Sequence, residues 1–271
     1  MRPHWTEQIE TLAEQLVQMP RVLIASDYDG TLSTLMDHPK SAKLQPDAQT
    51  ALIKISALYP RVRLAFISGR ALTDLSNKFP AALRGAILAG NHGLEIRGAG
   101  LNFTHPAGVA LKPALGALAV SLAHICRKIE GVELEDKGLS LTLHYRRVAS
   151  KNLIELARLT ERLHLTKGIR MHHGKQVIEF RPKAEWNKGF ALRCIIQHLG
   201  LSADCTLYMG DDNTDEDAFI ELAKEGTTVH VGDVQILSKA AIHAHNPEDA
   251  AAFLTKLADQ LEARWLPSTG L

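Results

Sequence analysis

The sequence predicts an α/β protein built on a mostly parallel sheet, with a smaller α+β segment inserted into it. Three observations predict this. Short apolar runs alternate with helix-period stretches from Arg21 to Gly90. Between about Pro106 and Lys183 the texture changes to helix, strand, strand, repeated once. From Glu185 the alternation of strand and helix returns. The segments read as 1–107, 108–183 and 184–271, the first and last forming one domain.

The N-terminal "MRPHWTEQIETLAEQLVQMP" carries Glu and Gln throughout its apolar positions, which predicts an amphipathic helix rather than a signal peptide. "RVLIAS" is a short strand ending at Asp27. "PDAQTALIKISALY" is a helix with Pro46 in its first turn, where a missing N–H costs nothing. "VRLAFIS" is a second strand closed by Gly69; "ALTDLSNKF" is a helix and "GAILAG" a third strand. Both faces of these strands are apolar, as a parallel sheet covered by crossover helices demands.

In the middle segment "KPALGALAVSLAHICRKI" and "SKNLIELARLTERLH" are helices, and "VELEDK", "LSLTLHYR", "GIRMHH" and "KQVIEFRP" are strands. "LSLTLHYR" alternates in polarity, so one sheet face is expected under helices and the other open to a ligand or partner domain. Afterwards come a helix, "NKGFALRCIIQHLG", a strand, "CTLYMG", a short strand, "TTVHVG", and a helical tail.

Bulk properties exclude several functions. A net charge of +1 leaves no broad basic face, so no nucleic-acid partner is expected. No run approaches eighteen apolar residues, so no membrane span is expected. Cys126, Cys194 and Cys205 form no C-x-x-C pair, which speaks against disulfides and zinc and for a cytoplasmic location with buried thiols. Nothing marks a self-association surface, so a monomer is expected.

Chemistry collects where strands end. Parallel α/β sheets bind ligands off the carboxyl ends of their strands. That edge gathers Asp27 and Asp29, Ser68 and Arg70, Asn91 and His92, and Asp211, Asp212 and Asp215. So many carboxylates repel one another unless a cation sits among them, and Mg²⁺, an oxygen-seeking ion that also takes phosphate oxygens, is the natural candidate. Lys188 opens a helix, where the dipole favours anions; a lysine there points to a bound phosphate. His172 and His173 are neighbours on a strand, point to opposite faces and share no ion.

"DYDGTL", "ISGR", "WNKG" and "GDDNTDEDAF" stand in the order of the four motifs of haloacid-dehalogenase-like (HAD) phosphatases, which the chain resembles over essentially its whole length. "GNHGLE", "EDKGLSLTLHYR" and "GKQVIEFRP" make it similar to the trehalose-6-phosphate phosphatase family; "GNHG" departs slightly, with Asn91 where a serine is more usual. The resemblance implies a Rossmann-like HAD core (1–107 and 184–271) and an αββαββ cap (108–183). It implies Mg²⁺-dependent hydrolysis of trehalose 6-phosphate through an aspartyl-phosphate, with a sugar phosphate as the small-molecule partner.

Residue by residue, the resemblance makes Asp27 the nucleophile and Asp29 the general acid and base. Ser68 and Lys188 bind the phosphoryl oxygens. Asp27, the Asp29 carbonyl and Asp211 hold Mg²⁺, with Asp212 and Asp215 behind them. Arg70, Asn91 and His92 line the site, and Glu135, Lys137, Arg146, Lys175 and Glu179 contact the sugar. Two other readings stay open: a phosphatase for another sugar phosphate, of the sucrose 6-phosphate or mannosyl phosphate type, and a catalytically silent binding module. Intact Asp27 and Asp29 speak against the second.

Overall fold

β1 (Val22–Ser26) is buried along its whole length, as its apolar run requires. It pairs in parallel with β2 (Val62–Ile67) on one side and β10 (Thr206–Gly210) on the other. In the computed structural model, which describes residues 2–36, 38–83, 85–174, 176–223 and 225–265, these three strands form the centre of an eight-stranded sheet. β11 (Thr227–Val231) and β12 (Ile242–Ala244) extend it in parallel beyond β10. β3 (Ile87–Gly90) continues it in parallel beyond β2. Then β4 (Glu95–Gly98) turns antiparallel, with β5 (Leu101–Thr104) at the edge.

Alternation along the strands shows that helices cover both faces. Val22 and Ile24 of β1, Leu64 and Phe66 of β2, and Leu207 and Met209 of β10 join one core. It is shared with α1 (Ile9–Gln18), α2 (Pro46–Ser56) and α8 (Pro247–Trp265), which supply Leu16, Leu52 and Leu257. The intervening Leu23, Ala25 and Tyr208 are fully buried too. α6 (Lys188–Leu199) packs along α7 (Glu216–Leu222) and against β2. α3 (Leu72–Ser76) is a short helix packed on β3. Gly200 ends α6 at a φ of +61°, the left-handed C-terminal turn that glycine adopts freely.

The chain divides into two compact units, one of residues 1–102 and 186–271 and one of Phe103–Glu185. The second contains α4 (Pro106–Lys128), β6 (Glu133–Asp136), β7 (Leu141–His144), α5 (Leu153–Glu161), β8 (Ile169–Gly174) and β9 (Val177–Pro182). Its four strands form an antiparallel sheet in the order β6, β7, β9, β8. Leu141, Leu143, Ile178 and Phe180 pack one face of that sheet against Leu115, Leu122 and Leu156 of the helices.

Three features depart from the sequence reading. The β4–β5 hairpin and β12 are additional strands, each short. α4 starts earlier than expected, at Pro106 behind a His105 cap, and runs through Pro113. Over this length it reaches the apolarity of a membrane-spanning helix, against the expectation that no segment would. Its Leu115, Leu118, Leu122 and Ile125 face the core of the second unit, as in a core helix.

Candidate active site

The site sits where β1, β2 and β10 end. The β1–β10 ladder runs one residue past the strand, with Asp27 N–H donating to the Met209 carbonyl at 2.9 Å. This fixes the Asp27 backbone. Its side chain is only 7% exposed. Oδ2 lies 3.0 Å from Lys188 Nζ, while Oδ1 is buried and has no hydrogen-bond partner among the described residues. An unsatisfied buried carboxylate oxygen is costly, and it marks where an electrophile or cation belongs.

Lys188 is the first residue of α6, placed there by the Asn187 cap, whose Oδ1 accepts from Phe190 N–H at 2.9 Å. Lys188 is 2% exposed and bridges Asp27 to Asp215, whose Oδ1 is 2.9 Å away. Asp215 is an anchor. Its Oδ1 also accepts from Tyr208 O–H at 2.6 Å, and its Oδ2 from the Asp211 and Asp212 amides at 3.2 Å each. Four donors fill its lone pairs. Gly210 permits this approach, since a Cβ there would lie 2.2 Å from Asp215 Cγ.

Asp211 follows β10 and leans on the turn after β1. A Cβ on Gly30, whose φ is +79°, would come within 2.2 Å of Asp211 Oδ2. Oxygens of Asp27, Asp211 and Asp215 lie within 4.8 Å of one another. This all-oxygen set fits a hard divalent cation, and the orphaned Oδ1 of Asp27 is the atom with capacity to spare. With Asp215 taken up by its donors, Asp27 and Asp211 are the better ligands. Asp212 accepts from the Thr214 amide and hydroxyl at 2.8 and 2.7 Å.

Electrostatics follow from burial. Burial pushes the Asp27 carboxyl well above its ordinary range, and Lys188 offsets this only in part. Lys188 is held charged despite burial, by Asp215 and Asp27. Burial works against the Asp212 carboxylate too, but Lys188 and the Thr214 hydrogen bonds outweigh it and pull its pKa down.

Asp29 points to a different partner. Arg70 Nε and Nη2 donate to its two oxygens at 2.6 Å each, a bidentate pair. Arg70 is itself held by Asp74 Oδ2 at 2.5 Å, one helical turn on. Ser68, buried at the end of β2, accepts from the Arg70 amide at 3.2 Å. The sequence reading put Arg70 against substrate; the structure places its guanidinium on Asp29 and Asp74.

Asn91 and His92 have φ values of +51° and +56° in a single 3₁₀ turn after β3. Asn91 Nδ2 donates to Glu95 Oε1 at 2.7 Å, and Glu95 also accepts from the Leu72 amide. His92 N–H donates to the Ser68 carbonyl at 2.9 Å. These bonds tie the loop after β3 to the loop after β2. Sequence reasoning missed Asp74, Tyr208, Thr214 and Glu95. Asp74 had a signal, its i,i+4 spacing from Arg70.

In the second unit, strand register aligns Glu135, Thr142, Glu179 and His172 across β6, β7, β9 and β8. They share the sheet face opposite its helices. Lys137 Nζ lies 4.0 Å from Glu135 and 3.7 Å from Glu179, and Arg181 lies 3.9 Å from Glu179. His144, also unforeseen, bonds Glu135 at 2.8 Å. Arg146 donates to Gln176 Oε1 at 2.8 Å. Lys175 lies outside the described residues.

Comparison with known proteins follows the same lines. A family profile described as trehalose-phosphatase matches residues 25–256. The chain is 34% identical over 250 residues to a trehalose-phosphate phosphatase of Mycobacterium marinum, covering 90% of itself and 63% of that relative, under two thirds of its length. Its fold is similar to the C-terminal domain of the C. albicans trehalose-6-phosphate phosphatase: TM-score 0.79, 24% identity, 96% of this chain and 99% of that one. The C-terminal domain of the Candida albicans trehalose synthase regulatory protein shares the fold at 10% identity, with a TM-score of 0.69 over 91% of this chain and 97% of that one. A fold this widely shared leaves function to the side chains.

Proposed function

The chain belongs to the trehalose-phosphatase family, and on that premise we propose that it hydrolyses trehalose 6-phosphate to trehalose and orthophosphate, with Mg²⁺, through an aspartyl-phosphate on Asp27. The observation that carries this reading is the state of Asp27: buried, braced through Oδ2 by Lys188, and open at Oδ1.

The Asp27 carboxylate attacks phosphorus in line through one oxygen, leaving its other oxygen for the cation, and the bond from phosphorus to the sugar oxygen breaks. Asp29 delivers a proton to that leaving oxygen, then takes one from the water that attacks the aspartyl-phosphate. Orthophosphate leaves and Asp27 is regenerated. Proton donation requires Asp29 to give up one of its two Arg70 bonds. Lys188 and Ser68 hold the phosphoryl oxygens, and Lys188 offsets charge as it builds. Asp27, the Asp29 carbonyl and Asp211 would hold the cation, which neutralises the carboxylates and polarises the phosphoryl group. In the second unit Glu135, Lys137 and Glu179, with Arg146 and Lys175, read the sugar hydroxyls; a missing hydroxyl would leave half-buried charged groups short of a partner.

The test is orthophosphate release with Mg²⁺ across a panel of sugar phosphates, with Asp27→Asn as the blank. Preference for trehalose 6-phosphate, and a loss on the order of 10³-fold or more in the variant, is the expected result. Turnover centred on another sugar phosphate would overturn the substrate. Turnover retained by Asp27→Asn would overturn the nucleophile. No turnover of any ester by the folded protein would favour a binding module.

A further inference from the structure

Far from the Asp27 site, the N-terminal segment meets the last parallel strand and α8. His4 forms a parallel bridge with His243 of β12, and the His243 amide donates to the Pro3 carbonyl at 3.1 Å. Three imidazoles gather there. The His4 ring stacks on His245 at 4.7 Å between centroids, and His243 stands edge-on to both at 5.1 Å. Asp249, in the first turn of α8, completes the group: its Oδ2 lies 2.7 Å from His4 Nε2.

A ring nitrogen of His4, one of His245 and an oxygen of Asp249 all lie within 4.8 Å of one another. A tetrahedral zinc site sets its ligand atoms about 3.3 Å apart, from metal–ligand bonds near 2.0–2.2 Å. The His4–Asp249 contact must open by about half an ångström to reach this, and the exposed His245 must swing inward. Its exposure leaves that rotation free and gives an ion a way in.

The surroundings are those of a ligand set. His4 Nδ1 accepts from the Thr6 amide at 3.5 Å as the cap of a short 3₁₀ turn, which leaves the ring proton on Nε2, and it lies 2.9 Å from Thr6 Oγ1. A shift of that proton to Nδ1, with Thr6 Oγ1 as its acceptor, frees the Nε2 lone pair for a metal. Trp5 Nε1 donates to Asp249 Oδ1 at 2.7 Å, and the His245 amide donates to Oδ2 at 2.7 Å, so the carboxylate is oriented from two sides. Two imidazoles and one carboxylate with open positions are a donor set for a borderline transition metal, not for Mg²⁺.

We propose that His4, His245 and Asp249 form a binding site for a divalent transition-metal ion of the zinc or nickel class, which pins the N-terminal segment to β12 and α8. The site is independent of the phosphatase reading. The ion replaces the His4–Asp249 hydrogen bond, and the His4 ring proton moves from Nε2 to Nδ1.

The experiment uses the full chain, stripped by chelator, with Zn²⁺ alone as probe. Calorimetric titration and thermal unfolding are run on the wild type, His4→Ala, His245→Ala and Asp27→Asn. The wild type is expected to bind one equivalent more Zn²⁺ than either histidine variant and to show a larger rise in unfolding temperature, and Asp27→Asn is expected to keep the equivalent that His245→Ala loses. His245 is exposed, so His245→Ala keeps its fold and serves as the control if His4→Ala does not. Equal stoichiometry and equal thermal shifts in the wild type and His245→Ala would overturn the proposal. Zn²⁺ binding abolished by Asp27→Asn would overturn it too, by assigning the ion to the carboxylates.

Discussion

Arg70 grips Asp29 with two hydrogen bonds of 2.6 Å, while Asp74 grips Arg70 from behind at 2.5 Å. The guanidinium is only 6% exposed, so it has few orientations to choose from, and Asp29 inherits that order. A general acid matters most when the leaving group is poor. Asp74→Asn should therefore lower kcat on a sugar phosphate about ten-fold or more, yet barely touch an aryl phosphate whose leaving group needs no proton. Steady-state kinetics on the two esters checks this; equal losses would assign Asp74 a purely structural role.

Lys188→Met removes the only cation seen between Asp27 and Asp215 among the described residues. Breaking a buried ion pair from one side costs about 3–5 kcal/mol, because the remaining charge is stranded. The two carboxylates can escape by binding protons, which their burial already favours. The folded variant then holds more protons than the unfolded chain, so its stability rises as pH falls from 7 toward 5. Denaturant titration at both pH values should show the deficit shrinking on the acid side.

Gly30→Ala tests the approach of Asp211 to the turn after β1. The new Cβ would strain a φ of +79° and collide with the Asp211 carboxylate, which must swing away. The Mg²⁺ concentration for half-maximal activity should rise about ten-fold. Stability should fall as well, by more than about 1 kcal/mol, since a φ of +79° strains an L side chain even after the Asp211 carboxylate has moved. Metal titration of activity, set beside a melting curve, separates the two effects.

Asp249 links the N-terminal segment to α8 through His4, Trp5 and the His245 amide. Burial works against its carboxylate, but the His245 amide, His4 and Trp5 outweigh it and hold its pKa below the ordinary range. A depressed pKa gives stability that is complete above the unfolded value, about 3.9, and is lost as pH falls through the folded value. The gap in unfolding temperature between wild type and Asp249→Asn should be full at pH 6 and should narrow below pH 4.

The strand ends were legible because apolar runs stop abruptly at polar residues: Ser26 gives way to Asp27, and Gly210 to Asp211. Periodicity reported both sheet types correctly, since burial on one face or on two leaves different patterns. β12 was hidden by its brevity, three residues with a histidine at the centre. The β4–β5 hairpin had a signal in Gly98 and Gly100, both at positive φ, but its strands are only four residues each. Pairings were the harder matter. Nothing in "ISGR" says that its arginine turns toward an aspartate 41 positions earlier. Nor does "TLYMG" say that Tyr208 will share Asp215 with Lys188, because such contacts exist only once strands are side by side.

The central pairing of the large sheet joins Leu23 to Thr206. β6 through β9 pair only with one another and lie between those two residues in the chain. The intervening unit is therefore a local folding problem, and the large sheet is a distant one whose loop must close before its contacts reward the chain. Made from the N-terminus, the chain can settle residues 103–185 while β1 still lacks β10. The Asp27–Lys188 ion pair and the carboxylate cluster around it need that distant closure, so an intact cluster is a report on the completion of folding.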